Sequence, residues 1–403
     1  MKASIGVLSF PELGVVPELC KLVTQHGLEK PTLIQSMAIP YILNYPHHAL
    51  IAAQTGTGKT LAYTLPVYQQ LKAKELEQNA VLTQPQRPRA FIVLPNRELT
   101  RQAEQVFGLF KHHLRLKCFS SLSGQSFSKE AQALRQGVDV WMGTPDRLDA
   151  LANQRFLDFD AAEVFVVDEF DTLLDAGYTP HILNYVRLAA HHSARMLFVG
   201  ATVSRAVTQF TSKHFSSTLG SRQPYLHQLV QRNTHLNLTH LKHEFVQPPS
   251  YDKAPTLLKL LFELRDKPAL VFCNTVASVR ATEYLLVENG FRAVSLHGEL
   301  PPKQRLQNIE EFRNRKVRIL VSTDLGSRGL DFDFLEAVIQ FDFPRTISDY
   351  VHRAGRAGRG GRPGSVFTLY RAKHMRMIKE LEASYTQNKP LRVVRSAFSA
   401  RSS

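Results

Sequence analysis

HALIAAQTGTGKTLAYTLPVYQQL, residues 48–71, joins three kinds of local order. HALIAA, 48–53, is an apolar run of strand length, and LAYTLPVYQQL, 61–71, has helical spacing. The segment between them places Gly56 and Gly58 where the backbone must turn sharply. A glycine turn between a strand and a helix N-terminus makes backbone N–H groups converge on phosphate oxygens. The cradle is Thr55, Gly56, Thr57 and Gly58, with Ala53 standing where such a loop usually begins with glycine. Lys59 is placed to reach β- and γ-phosphates, and the Thr60 hydroxyl to ligate Mg2+.

Outward from this loop the same alternation continues. RAFIVL (89–94), VDVWMG (138–143), EVFVVD (163–168) and RMLFVG (195–200) are short apolar runs separated by segments of helical spacing such as 97–110. Near-continuous apolar strands alternating with helices predict a parallel sheet covered on both faces. The pattern restarts with KHEFVQ (242–247), PALVFC (268–273), RAVSLH (292–297), VRILVS (317–322), EAVIQF (336–341) and GSVFTL (364–369). The expected fold is α/β, two tandem parallel-sheet domains at 1–235 and 236–385, joined late in the polar stretch 217–237. A basic tail at 386–403 follows, and the Gln- and Pro-rich segment 74–89 reads as a surface loop.

A chain of 403 residues with 43% hydrophobic and 21% charged residues has globular composition and room for two cores. Its net charge of +15 and pI near 9.8 favour a polyanionic partner. Cys20, Cys118 and Cys273 lie far apart, without zinc-ligand spacing, which suggests a reducing compartment. No apolar run approaches bilayer-spanning length, and the first residues carry no secretory core, so no membrane partner is expected.

VVDEFD, 166–171, puts acidic residues at the carboxyl end of a strand, where ligands gather in open α/β sheets. Asp168 can hold Mg2+ through water, and Glu169 can orient and deprotonate an attacking water.

With these motifs in order, the chain resembles the DEAD-box family of ATP-dependent RNA helicases over nearly its whole length. The resemblance implies two RecA-like domains, ATP and Mg2+ as cofactors, and RNA held by its backbone. GLEKPTLIQ, 27–35, is similar to the family's adenine-reading motif, so Gln35 would read the adenine edge and Phe10 would stack on the ring. PNRELT (95–100), SGQ (123–125) and TPDR (144–147) resemble its RNA-facing motifs, implying contacts from Pro95, Arg97, Gly124, Thr144 and Arg147. In the second domain VFCNT (271–275), HGELPPKQR (297–305), STDLGSRGLD (322–331) and HRAGRAGR (352–359) match in turn. They imply RNA contacts from Arg305 and Thr323, nucleotide contacts from Gly329 and Asp331, and arginine fingers at Arg356 and Arg359. Two arginines three apart would share one helical face.

Several positions depart from the family pattern. DEFD places Phe170 where the family has Ala, which demands space beside the cleft; GAT places Gly200 where it has Ser, removing a hydroxyl next to the acidic motif. Asp146 adds negative charge beside an RNA-facing motif, Gln125 replaces a Gly, and Leu28 replaces a frequent aromatic. The expected activity is RNA-dependent ATP hydrolysis coupled to local unwinding or RNP remodelling. The alternatives are an ATP-gated RNA clamp or assembly factor with little unwinding, and a DNA helicase of the same superfamily. A monomeric core, ribosomal or RNP assembly proteins as partners, and a cytoplasmic, nuclear or mitochondrial-matrix location complete the expectation.

Overall fold

The computed structural model describes residues 8–53, 56–122, 126–220, 223–231, 241–327, 332, 334–358 and 362–387. The basic tail from 388 onward lies outside them. The chain divides into two compact units, Met1–Thr234 and His235–Ser403.

The first unit has seven strands: β1 His48–Ala52, β2 Ala90–Val93, β3 Cys118–Ser121, β4 Val140–Gly143, β5 Val164–Val167, β6 Arg195–Gly200 and β7 Leu226–Val230. They form one parallel sheet in the order β3-β4-β2-β5-β6-β1-β7. Its helices are α1 Pro17–Gln25, α2 Leu33–Asn44, α3 Lys59–Glu77, α4 Arg97–Leu114, α5 Phe127–Arg135, α6 Pro145–Asn153, α7 Phe170–Asp175, α8 Thr179–His191 and α9 Arg205–His214. Strand alternation feeds two cores. Ala49, Ile51, Ile92 and Val166 pack on one face, and Leu50, Phe91, Trp141, Phe165 and Phe198 on the other. This is why the strands read as unbroken apolar runs.

Two expectations need correction. α3 continues to Glu77, into the predicted loop, because the buried Glu75 pairs with Arg89, which is 1% exposed, at 3.0 Å. β7 falls inside the predicted linker region; it is an edge strand paired with β1, and three of its five residues stay in contact with solvent.

The second unit repeats the architecture with β8 Leu241–Val246, β9 Ala269–Cys273, β10 Ala293–Leu296, β11 Ile319–Thr323, β12 Ala337–Gln340 and β13 Gly364–Leu369. All are parallel, in the order β10-β11-β9-β12-β13-β8. The helices are α10 Ala254–Glu263, α11 Val276–Glu288, α12 Pro302–Arg313, α13 Asp324–Ser327, α14 Ile347–Ala354 and α15 Met375–Gln387. Again two cores form, around Leu270, Phe272 and Val338 on one face and around Val271, Val321 and Ile339 on the other. Among the described residues no helix is long and apolar enough to cross a membrane.

Candidate functional site

In the first sheet β6 lies between β5 and β1, so the ends of all three strands meet at one edge. The glycine loop leaves β1, the acidic motif leaves β5, and Gly200 ends β6 with its carbonyl accepting from Ala53 N–H at 3.1 Å.

The loop's geometry requires its glycines. Gly56 and Gly58 have φ of +84° and +83°, and Gly58 is the N-cap of α3. A Cβ on Gly58 would stand 2.4 Å from Gln35 Nε2. Gln35 donates from Nε2 to Gly58 O at 3.1 Å, and Thr32 Oγ1 donates to Thr57 O at 2.7 Å. The same two residues cap α2 reciprocally, with Thr32 N–H donating to Gln35 Oε1 at 2.9 Å. Gln35, expected to read adenine, is therefore also the brace that holds the loop's carbonyls back and its N–H groups forward. Phe10, expected to stack on the adenine ring, is 3% exposed and belongs to the same core as Leu13, Val15 and Leu19, where an apolar ring is most stable. Thr55 lies outside the described residues.

Lys59 is 6% exposed and donates from Nζ to Ala53 O at 2.8 Å, which lays its ammonium along the loop. Asp168 is 5% exposed, and both its oxygens accept: Oδ1 from Glu169 N–H at 2.8 Å, Oδ2 from the Tyr63 hydroxyl at 2.9 Å. Burial, with the charge of Glu169 adding to it, pushes the Asp168 carboxyl up to about 6, while Lys59 and the Tyr63 bond pull it down. Tyr63 is fully buried, and its hydroxyl also lies within hydrogen-bonding reach of the Thr60 side chain. The residues expected to hold Mg2+, Thr60 and Asp168, are thus brought together around one tyrosine. Sequence reasoning missed Tyr63; the signal was its place one helical turn after Lys59, on the inward face of α3. Among the described residues no group of three His, Cys, Asp or Glu side chains could hold a metal. Oxygen donors this few fit Mg2+ retained largely by phosphate and water.

Glu169 caps α7 in a left-handed conformation, φ +50°, which turns the chain sharply between the two carboxylates. Phe170 does not crowd the cleft as expected. It is fully buried in the opposite direction, 4.6 Å from the ring of Phe198 on β6 and 5.3 Å from that of Phe210 on α9. Asp171 Oδ2 accepts from Thr202 N–H at 2.9 Å and from Thr202 Oγ1 at 2.7 Å. The acidic motif therefore stays tied to GAT without the missing hydroxyl, and a Cβ on Gly200 would lie 3.1 Å from Asp171 Oδ1.

The proposed RNA-facing residues sit at neighbouring strand ends, with different fates. Pro95 is buried, Asn96 caps α4 by accepting from Leu99 N–H at 2.9 Å, and Arg97 opens that helix, half-buried. Thr144 opens α6 and is 9% exposed. Arg147 is held within the unit: its guanidinium lies 3.7 Å over the Phe127 ring and bonds Glu130 Oε2 at 2.8 Å, a carboxylate with no exposure. Its fork is committed to a buried acid instead of facing outward. Asp146 is drawn into a side network, accepting from Tyr178 OH at 2.8 Å. Gly124 lies outside the described residues.

In the second unit Thr323 ends β11 and accepts from Gly326 N–H at 3.2 Å, while Arg305 donates to Leu300 O at 3.0 Å and Gly298 O at 3.2 Å. Gly329, Asp331 and Arg359 lie outside the described residues. Arg356 is 6% exposed and follows the end of α14 at Ala354, so it stands in a turn and not on the helical face expected. The arginine that organises this edge is one the sequence reading passed over. Arg353, 1% exposed, grips Asp324 through two bonds of 2.6 Å and also donates to Asn274 Oδ1 at 2.6 Å and Asp342 O at 2.7 Å. It locks together the strand ends of β9, β11 and β12.

Residues 32–210 match the model of the DEAD/DEAH box helicase family, and residues 252–361 that of the helicase conserved C-terminal domain. The chain is 31% identical over 397 residues to DEAD-box ATP-dependent RNA helicase 39 of Arabidopsis thaliana, covering 96% of itself but 62% of that protein. It is 31% identical over 379 residues to the ATP-dependent RNA helicase eIF4A of Sclerotinia sclerotiorum, covering 94% of itself and 90% of the relative. Its fold is similar to that of S. cerevisiae Dbp5 bound to RNA and ADP BeF3, with a TM-score of 0.77 at 24% identity over 96% of this chain and 95% of the other. Mss116p bound to ssRNA and AMP-PNP gives a TM-score of 0.79 at 21% identity over 98% and 81%.

Proposed function

The chain belongs to the DEAD-box family of ATP-dependent RNA helicases, and on that premise we propose that it couples ATP hydrolysis at the β1, β5 and β6 strand ends to gripping and locally separating RNA. The observation that carries this reading is the convergence of Lys59, Thr60, Tyr63, Asp168 and Glu169 on one edge of the first sheet. The loop from Gly56 to Gly58 presents N–H groups to the phosphates, and Lys59 neutralises their charge. Asp168, fixed by two donors, and the Thr60 hydroxyl would hold Mg2+, which when bound neutralises charge on the β- and γ-oxygens. Glu169 takes the proton of the water that attacks the γ-phosphorus. Arg356 and Arg359 of the second unit are proposed to stabilise the transferred phosphoryl group, so hydrolysis depends on both units.

RNA contacts are proposed for Arg97, Thr144, Arg305 and Thr323, with Arg147 acting indirectly through the buried pair it makes. The charge of +15 supports a backbone-directed grip, and a role in ribosome or RNP assembly. A reducing compartment, cytoplasmic, nuclear or mitochondrial, is in keeping with three free cysteines.

The test is steady-state ATP hydrolysis without nucleic acid, with single-stranded RNA and with DNA of the same sequence. Stimulation by RNA, abolished in Lys59→Ala and Glu169→Gln, is expected; equal stimulation by DNA or residual activity in both variants would overturn the reading. Gly200 favours a second reading, an ATP-gated clamp, since it lacks the hydroxyl that the family places beside the acidic motif, where Thr202 bonds Asp171. Release of a short duplex strand with ATP excludes the clamp; RNA-stimulated hydrolysis without release supports it.

A further inference from the structure

The sites described above lie at the carboxyl ends of the strands. At the other edge of the second sheet, the segments leading into β9, β10, β11 and β12 surround two adjoining cavities of about 770 and 600 Å³. Five cationic and three acidic side chains line them. Two of the acids have cationic neighbours, Glu263 at 3.9 Å from Lys259 and Glu336 at 3.6 Å from Lys267, and the charge of Asp266 acts on Arg318. Arg318 donates to Leu261 O at 3.0 Å with its guanidinium 5.3 Å over the Phe291 ring, and so forms the floor.

That leaves Arg265, Arg292 and Arg315, the last with its guanidinium 5.1 Å over the Phe334 ring and no ion pair among the described residues. All three are exposed, and among the described residues neither Arg265 nor Arg292 has a hydrogen-bond or ion-pair partner for its guanidinium. Arg265 and Arg315 follow the ends of α10 and α12 at φ of +50° and +56°, where glycine is the easiest residue; Gly290 holds the corresponding place after α11. Cations after helix ends can serve the helix dipoles alone. Here, however, they rim a cavity, and the aromatic ring of Phe262, 78% exposed, stands beside them.

We propose that this edge of the second unit is an auxiliary site for the sugar-phosphate backbone of single-stranded RNA, distinct from the main RNA surface and engaged by strand extending beyond it. Planar guanidinium forks suit phosphate oxygens, and an exposed ring suits stacking of an unpaired base. An acidic protein segment would satisfy the charge but would make no use of a lone exposed aromatic placed for a base. The proposal rests on the reading of the chain as an RNA-binding helicase.

The experiment uses the full chain and a variant carrying Arg265→Gly, Arg292→Ser and Arg315→Gly. Glycine at the two left-handed positions removes charge without adding backbone strain. Binding of a short RNA that fills only the main surface is compared with that of one several times longer, across a salt series, with polyglutamate as a third ligand. The variant is expected to bind the long RNA at least tenfold more weakly and to lose about 2 from the log–log salt slope, at roughly 0.7 per phosphate contact. Its short-RNA affinity and RNA-stimulated ATPase stay as in the parent. Unchanged long-RNA affinity and slope overturns the proposal, as does a variant that loses polyglutamate binding while keeping long RNA. Failure of the unmodified chain to bind either RNA overturns the helicase reading as well, whereas tight short-RNA binding with no gain from length overturns only this site.

Discussion

Replacing Tyr63 by Phe keeps a ring in a fully buried position and removes one hydrogen bond, the 2.9 Å donation to Asp168 Oδ2. Asp168 is 5% exposed and has one other donor on its carboxylate among the bonds described above, the backbone N–H of Glu169. A hydrogen bond to a buried charged group contributes roughly 1.5 to 3 kcal/mol, and each 1.36 kcal/mol is a factor of ten in rate. Since that bond fixes the carboxylate that would hold Mg2+, Tyr63→Phe should lower ATPase kcat/KM by about ten- to a hundredfold. The loss should be largest at limiting Mg2+ and partly recovered at high Mg2+, while thermal unfolding changes little, since the ring's packing 6.2 Å from Phe107 is retained. The assay is steady-state hydrolysis across a magnesium series. Wild-type rates in the variant at limiting Mg2+ would refute the assignment of Tyr63 as a positioning residue.

Three other perturbations follow from the same geometry. Arg147→Ala strands Glu130, whose carboxyl burial already pushes up, and breaking a buried pair costs about 3 to 5 kcal/mol; urea unfolding should show the loss, with Glu130→Gln in the same background restoring much of it. Gly58→Ala adds a Cβ 2.4 Å from Gln35 Nε2 at a φ of +83°, so the brace must leave; binding of a fluorescent ATP analogue should weaken by an order of magnitude or more, at a strain of roughly 1 to 3 kcal/mol. His48 accepts from Met196 N–H at 3.0 Å, and burial lowers its pKa from 6.5 to about 4. Below 6.5 the unfolded chain binds the proton and the folded chain does not, so stability present above 6.5 is lost as pH falls to about 4, by at most about 3 kcal/mol; His48→Gln should flatten that limb in pH-dependent unfolding.

The inner strands of both sheets were legible as apolar runs because parallel strands covered on both faces must be apolar at every position, as Leu50 and Ile51 show by entering opposite cores. At the edges the signature weakens: β8 and β10 were still read, whereas β3, CFSS, and β7, LHQLV, with half-exposed Phe119 and His227, keep too few apolar residues in a row. The phosphate loop was legible because its glycines answer to local backbone geometry, and Asp168 and Glu169 because a strand end delivers them wherever the sheet is parallel. Side-chain direction was a different matter. Phe10 and Phe170 turn into cores, Arg147 turns to Glu130, and Tyr63 turns to Asp168, each according to neighbours distant in sequence. Local order, set by spacing and backbone sterics, was determined by the sequence alone. Which arginine faces outward and which is spent on a buried carboxylate was decided only by the tertiary structure, because burial changes the free energy of a charge far more than any local propensity does.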